Sequence, residues 1–342
     1  MKSDSENSIG ILDKRYILIK KLGYGSYSEV YKVKDSQSNK IYAAKVFMKY
    51  TDSIEKEIKN NKTISQNINT YIPNFIKYIT SSIGPLELKN DSQESHTPET
   101  KAYIIFELGT KGALLDYITC TEEILDERFV KVIFIKLIKA VRYLHILGLC
   151  HRDLKTDNIV LCGDEFIIKL IDFGFSSKII RNEDGSVEYQ TEYVGTKEYA
   201  APEILKGIPY DGEKADIFSL GVILFNLRTR RLGFEKAKCY NPKVVKDNSK
   251  LLYNYIRDKK HELYWKQLGL FVNVDELSEQ FRELYLKMVA YDPNERPTLG
   301  EIFNDDYFDD IRALTNDQLH NLEQEIINEF RNREALIKES NN

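Results

Sequence analysis

From Arg15 to about Val46, apolar and polar positions alternate. The runs are Tyr16-Ile17-Leu18-Ile19, Glu29-Val30-Tyr31-Lys32-Val33 and Ile41-Tyr42-Ala43-Ala44-Lys45-Val46, separated by polar turns. A period of two argues strands, and short turns argue antiparallel pairing, so three antiparallel strands are predicted here. Between Asp52 and Ile64 the period lengthens, and Ile54, Ile58 and Ile64 predict a single helix. Two more strand-like runs, Phe75–Ile79 and Ala102–Leu108, flank a polar stretch from Leu88 to Thr100. Its segment Asn90-Asp91-Ser92-Gln93-Glu94-Ser95-His96 has nothing apolar to bury and reads as a mobile loop.

Helical patterns dominate from Leu114 onward. Phe129, Ile133, Phe134, Leu137, Ile138, Val141 and Leu144 fall on one face of a strongly amphipathic helix, and further helices fit Ala215–Leu227, Leu251–Lys259 and Leu277–Val289. Near the end, Leu319, Leu322, Ile326, Ile327 and Phe330, with Leu336 and Ile337 beyond, form an apolar stripe on a charged helix. That stripe either caps the large lobe or receives a regulatory partner. The pattern predicts an α+β chain: an N-terminal tail (1–14), a small antiparallel β-lobe with one main helix (15–108), a larger mainly helical lobe (109–308) and a C-terminal helical extension (309–342). A cleft where the lobes join is the expected ligand site. No period of 20–50 residues repeats, which excludes a solenoid.

Composition narrows the class. Hydrophobic residues are 42% and charged residues 30% of the 342, ordinary for a globular protein. Lys plus Arg number 49 against 53 Asp plus Glu, a formal net charge of −4, so no global field favours nucleic acid or an anionic membrane and neither is expected as a partner. The four cysteines, at 120, 150, 162 and 239, include no C-x-x-C pair, which argues against a zinc ribbon or dithiol redox site. The first residues are polar and resemble no signal peptide, and runs such as Val222-Ile223-Leu224-Phe225 fall far short of the ~20 residues that span a bilayer. A soluble protein of a reducing compartment, the cytoplasm, is expected.

Three stretches carry candidate chemistry. Gly23-Tyr24-Gly25-Ser26-Tyr27-Ser28-Glu29-Val30 lies between two predicted strands, where glycines let backbone N–H groups approach phosphate oxygens. A dinucleotide fingerprint would need a helix after the loop; a strand follows, and Ser28 replaces the third glycine. By itself this loop reads no further than a hairpin turn. Lys45 ends the third strand among apolar residues, where a lysine either snorkels to solvent or pairs with an acid; the proposed partner is Glu57 on the following helix, with Glu55 as the competing choice. The third stretch is His151-Arg152-Asp153-Leu154-Lys155-Thr156-Asp157-Asn158, followed by Asp172-Phe173-Gly174. Two carboxylates and an amide suit a hard divalent cation that bridges phosphates.

With these motifs in this order, and with Ala201-Pro202-Glu203, Asp216 and Arg296 after them, the chain resembles the eukaryotic protein kinase superfamily from about Arg15 to Phe308. The resemblance implies a bilobal fold and transfer of phosphate from ATP, with Mg²⁺, to protein hydroxyls. It implies that Leu22, Gly23, Gly25, Tyr27 and Val30 cover the nucleotide, and that Ala43 and Val160 sandwich adenine together with Val30. Glu107 and Leu108 supply the hinge after a bulky Phe106. Lys45, held by Glu57, contacts the α- and β-phosphates. Asp153 is the catalytic base, Lys155 sits near the γ-phosphate, and Asn158 and Asp172 hold the metal. Asp216 is implied to orient the catalytic loop, and Glu203 to pair with Arg296. Lys155 and Gly195-Thr196 resemble the Ser/Thr branch, and the text around Ala201 and Asp216 looks most like the calcium/calmodulin-dependent kinase group, so substrates are proteins bearing Ser or Thr. The competing reading is a pseudokinase scaffold. It is kept in view by Ser28 and by Asn61, an amide where the family packs an apolar side chain. A small-molecule kinase is a further rival, disfavoured by the full Ala201-Pro202-Glu203 segment.

Two departures bear on specificity and regulation. Where basophilic relatives place acids, this chain has Ala113, Asp157 and Asn226, which predicts a weak preference for arginine. Arg152 resembles the arginine that relatives neutralise with a phosphate. Counting back from Gly195, that phosphosite holds Glu192, with Thr191 beside it. Without a second anchor for the loop from Arg181 to Gln190, either residue fits.

Overall fold

The alternation in the third predicted strand divides two environments. Ala44 and Val46 are buried in one cluster with Leu12, Tyr16, Leu18, Tyr31, Val33, Tyr103 and Ile105, while Phe47 belongs to another with Ile54, Ala102 and Ile104. Successive side chains of a strand point to opposite faces, so Ala43 and Lys45 share the second face. This is a computed structural model, and it describes residues 8–25, 27–67, 74–89, 99–237 and 248–340. The chain divides into two units, 1–110 and 111–342.

In the first unit the strands are β1 (Gly10–Leu12), β2 (Tyr16–Tyr24), β3 (Ser28–Asp35), β4 (Ile41–Phe47), β5 (Tyr78–Leu88) and β6 (Glu99–Glu107), with α1 (Asp52–Asn67) between β4 and β5. They close in the order β1-β2-β3-β4-β6-β5. Every pairing is antiparallel, and β1 bridges β2 and β5. Closure removes the free edges that a small sheet would otherwise expose. Helix α1 packs Ile54 and Ile58 on the outer face beside Phe47 and Ile104.

Two findings differ from the hydrophobic pattern. Strand β1 lies within the stretch read as a tail; its Leu12 is fully buried in the barrel interior. Strand β5 runs Tyr78–Leu88 rather than Phe75–Ile79. Its backbone is paired with β6 and β1, so polar Ser81, Ser82 and Glu87 are tolerated in a strand that the apolar pattern did not mark. The predicted mobile loop Asn90–His96 lies outside the described residues.

The second unit begins with β7 (Gly112–Ala113), α2 (Leu114–Thr119), α3 (Glu127–Ile146), β8 (Leu149–Cys150), β9 (Ile159–Cys162), β10 (Ile167–Leu170) and β11 (Ser177–Lys178). Helices follow: α4 (Pro202–Lys206), α5 (Gly212–Thr229), α6 (Asn248–Arg257), α7 (His261–Leu268), α8 (Glu279–Met288), α9 (Leu299–Phe303), α10 (Asp309–Arg312) and α11 (Asn316–Ser340). Helix α3 buries the predicted face, and Asp126 caps it by accepting from Arg128 N at 2.8 Å. Helix α5, capped by Asp211, is buried almost all round and forms the unit's centre. The apolar stripe of α11 packs on α2 and α3. Phe330 stacks edge-on against Tyr117, with ring centroids 5.4 Å apart. Arg333, 2% exposed, donates to the carbonyls of Tyr117 and Glu123.

Candidate active site

Lys45 sits on the outer face of β4 opposite Val30 of β3, and its Nζ donates to Glu57 Oε1 at 2.7 Å. Both side chains are largely buried, where an ion pair is stronger than at the surface but must be complete. Glu55 points elsewhere and accepts from the Tyr50 hydroxyl at 2.8 Å. Asn61, buried one turn after Glu57, donates its side-chain amide to the Glu57 carbonyl at 2.9 Å. An amide is tolerated there because its donor is satisfied. Val30 and Ala43 lie half-buried on the Lys45 face, and Phe106 pairs with Ala43 across β4 and β6. Glu107 closes β6 and Leu108 follows it.

The glycine-rich segment is the hairpin between β2 and β3, closed by Gly25 N donating to Ser28 O at 2.8 Å. Leu22, Tyr24 and Tyr27 are exposed. A Cβ at Gly23 would meet nothing within 4 Å, and at Gly25 it would meet only Ser28 atoms at ordinary contact distance. Neither turn geometry nor packing requires these glycines.

The second group gathers after β8. Asp216 of α5, fully buried, accepts from the backbone N–H groups of His151 and Arg152 at 2.8 Å each, and His145 Nε2 lies 2.8 Å from Asp216 Oδ2. Burial alone would push this carboxyl up, but the hydrogen bonds and the two histidines hold it below its ordinary value. Arg152 and Asp172 both adopt left-handed backbone, at φ 65° and 62°. Such strain in non-glycine residues persists only where surroundings over-determine it.

Asp153 is buried, and both of its carboxylate oxygens accept hydrogen bonds. Oδ1 accepts from Thr196 N at 2.7 Å and Thr196 Oγ1 at 2.8 Å, and Oδ2 accepts from Asn158 Nδ2 at 3.1 Å. Lys155 Nζ lies 3.5 Å from Asp153 Oδ2 and donates to Thr196 Oγ1 at 2.8 Å. The close approach of Thr196 depends on Gly195, at φ 91°, where a Cβ would lie 2.5 Å from the Arg152 carbonyl oxygen. Asp172 is exposed beside buried Phe173, whose ring lies 5.2 Å from that of His151. Val160 is half-buried on β9. Arg296 grips Glu203 through two hydrogen bonds, of 2.6 and 2.8 Å, with both residues buried.

The family model for the protein kinase domain matches residues 16–308. The chain belongs to the protein kinase family. This kinase is 31% identical over 295 residues to testis-specific serine/threonine-protein kinase 1 of Mus musculus, covering 86% of the chain and 72% of that relative. To testis-specific serine/threonine-protein kinase 2 of Mus musculus it is 36% identical over 62% of the chain and 55% of the relative. To the SNF-related serine/threonine-protein kinase of Homo sapiens it is 35% identical over 60% of the chain, but it spans only 24% of that protein's length. It is thus a protein kinase of the serine/threonine type, with the strand-rich first lobe and helical second lobe that the motifs implied. Protein kinases generally use ATP and Mg²⁺ and act on proteins.

Within each unit of the kinase, the structure brings together Lys45 with Glu57, and Asp153 with Lys155 and Asn158. It also shows two contacts that sequence reasoning missed, Thr196 on Asp153 and His145 on Asp216. The short Gly195-Thr196 pair was the available signal for the first. Nothing local in the sequence marks His145, because its partner is 71 residues away.

Proposed function

We propose that this kinase transfers the γ-phosphoryl group of ATP to serine and threonine hydroxyls of cytoplasmic proteins, with Asp153 as the base. The observation that carries this reading is the set of donors on the Asp153 carboxylate, two from Thr196 on Oδ1 and one from Asn158 on Oδ2, which fixes its direction before a substrate arrives and leaves Oδ2 able to accept a proton. In the proposed reaction the substrate oxygen bonds to the γ-phosphorus as the bond to the β-phosphate oxygen breaks. ADP leaves, and the hydroxyl proton passes to Asp153. Lys155 offsets charge on the transferring group, and Thr196 and Asn158 keep the base oriented.

The donor set suits Mg²⁺. Asn158 commits its Nδ2 to the Asp153 carbonyl and carboxylate, leaving its amide oxygen as an acceptor, and Asp172 adds an exposed carboxylate. Both are the hard oxygen ligands that the ion prefers. When bound, the metal would neutralise phosphate charge. In the first unit, Lys45 is assigned to the α- and β-phosphates with Glu57 as its brace, and Val30, Ala43 and the backbone of Glu107 and Leu108 are assigned to the base. Leu22, Gly23, Gly25 and Tyr27 are assigned to cover the phosphates. The absence of any structural need for glycine at 23 and 25 supports close backbone approach to a ligand there.

A regulatory partner at α11 would have to compete with the α2 and α3 contacts that already cover its stripe, leaving the exposed Leu336 as an anchor. The test is transfer of labelled phosphate from ATP to a Ser/Thr peptide library with Mg²⁺. Wild type should label peptides and Asp153→Asn should not. A wild-type protein that binds nucleotide and labels nothing would instead be a scaffold.

A further inference from the structure

The guanidinium of Arg152 is an expensive group to leave unmatched. Its side chain is 2% exposed, and its backbone is held at φ 65° with the N–H fixed on Asp216. Nε donates to the Phe175 carbonyl at 2.8 Å. Nη1 reaches Glu192 Oε2 at 2.7 Å, the Tyr210 hydroxyl at 3.2 Å and Gln190 Oε1 at 3.3 Å. Among the described residues, no other carboxylate forms an ion pair with this guanidinium.

The register that selects Glu192 is fixed independently. Gln190 and Tyr210 exchange backbone hydrogen bonds of 2.7 and 2.9 Å, the Tyr210 hydroxyl donates to the Glu192 carbonyl at 3.0 Å, and Ser177 Oγ donates to Gln190 Oε1 at 2.8 Å. This is the second anchor that sequence reading lacked. In this register Gln190 and Glu192 both reach Arg152 Nη1. Thr191 is exposed.

We propose that Glu192 is a built-in positioning residue: its carboxylate neutralises Arg152 and orders the activation segment, so that the kinase works without a phosphate on that segment. Arg152 precedes the base, and four residues after Glu192 comes Thr196, which hydrogen-bonds Asp153. Loss of the carboxylate therefore loosens the segment at both ends of the base's hydrogen-bond shell. A carboxylate carries about one negative charge where a phosphate carries −1.5 to −2, and a half-exposed pair 2.7 Å long needs no more.

This inference rests on the catalytic reading above, so the experiment has two readouts. Full-length protein is treated with phosphatase, verified free of phosphate by mass spectrometry, and assayed beside Glu192→Gln, Glu192→Asp and Thr191→Ala. Hydrogen exchange is followed over residues 175–196. Phosphate-free wild type and Thr191→Ala should keep most of their activity. Glu192→Gln should lower kcat about ten- to a hundredfold, the range of one lost charge-assisted hydrogen bond, with little change in the KM for ATP and faster exchange across the segment. Glu192→Asp should recover part of both. A wild type silenced by phosphatase, a silent Thr191→Ala, or a Glu192→Gln variant with unchanged exchange would overturn the proposal. If phosphate transfer is absent in every sample, the catalytic reading fails, and the exchange data still decide the role of Glu192.

Discussion

The glycine-rich hairpin leaves Tyr24 and Tyr27 85% and 75% exposed, whereas the loop from His151 to Asn158 keeps His151, Arg152, Asp153 and Asn158 at 6% or less. The hairpin's tip is closed by the single backbone bond from Gly25 to Ser28. The catalytic loop is tied to α5 by two backbone bonds onto Asp216 and to the activation segment by Thr196. In the proposed function a phosphate-covering loop gains from weak local contacts, while a base and its metal ligands gain from being fixed before reaction. The same sequence thus leaves its hairpin tyrosines exposed in the first unit and buries the His151–Asn158 loop in the second.

The largest effect should come from the rigid loop's chemistry. Asp153→Asn keeps the shape and one of the two acceptor oxygens but removes the proposed base, so kcat should fall about 10²- to 10⁴-fold. Nucleotide affinity by calorimetry should stay within a factor of about two or three. A comparable loss of nucleotide binding would mean that Asp153 is structural rather than catalytic.

The rigidity itself is tested by Asp216→Asn. Losing the charge behind two buried backbone hydrogen bonds should cost about 3 kcal/mol at neutral pH, read as a lower Tm or denaturant midpoint. The sign with pH follows from the carboxyl's depressed value. The unfolded chain titrates near 3.8 and the folded one below it, so the ionic contribution is present above that pH and is lost as pH falls through the folded value. Wild type and variant should therefore differ at pH 7, and the difference should begin to shrink near the unfolded value of 3.8 and close only as pH falls through the lower folded value. A constant difference across that window would remove the charge from the argument.

How much of this was readable in the chain depends on how local each signal is. His151 to Asn158, Asp172 to Gly174 and the Lys45 strand carry their chemistry in short runs, and the period-two alternation marked β2, β3 and β4 directly. The choice of Glu57 over Glu55 needed the geometry of α1. Strand β5 was misplaced because the apolar run Phe75–Ile79 carried the only strand signal there, while Ser81, Ser82, Gly84 and Pro85 carry none and are paired through backbone. Strand β1 was too short to show a period. His145 and the anchoring of Gln190 by Tyr210 depend on contacts between residues far apart in sequence, which no local pattern encodes, and for Thr196 the short Gly195-Thr196 pair marks the residue but not its partner.

Glycines offer a paired test of the two loops. Gly195→Ala forces a Cβ to within 2.5 Å of the Arg152 carbonyl oxygen at φ 91°, and should cost roughly 2–3 kcal/mol of stability. It should abolish most activity by displacing Thr196. Gly23→Ala, with open space around it, should leave stability within about 0.5 kcal/mol while raising the KM for ATP several-fold. Equal effects on Tm at the two sites would erase the contrast between a packed loop and an open one.

The smallest effect concerns the exposed rim of the rigid loop. Of the three positions where basophilic relatives carry acids, Ala113 has none, and Asn226 is buried with its amide donating to the Arg231 carbonyl at 3.4 Å. Asp157 remains, exposed in the turn Thr156–Asn158. Asp116 on α2 is close enough for the charge of Asp157 to help burial push its carboxyl up, so the two acids share one field. A peptide arginine meeting Asp157 would form an exposed ion pair of about 0.2–1 kcal/mol, a factor of roughly two to five in kcat/KM. Arginine preference on a peptide array should accordingly be shallow, and Asp157→Asn should flatten it further without altering kcat on arginine-free peptides. By NMR titration the same variant should lower the Asp116 carboxyl's pKa, because it removes a neighbouring negative charge. A steep arginine requirement that survives Asp157→Asn would place the recognition elsewhere on the second unit.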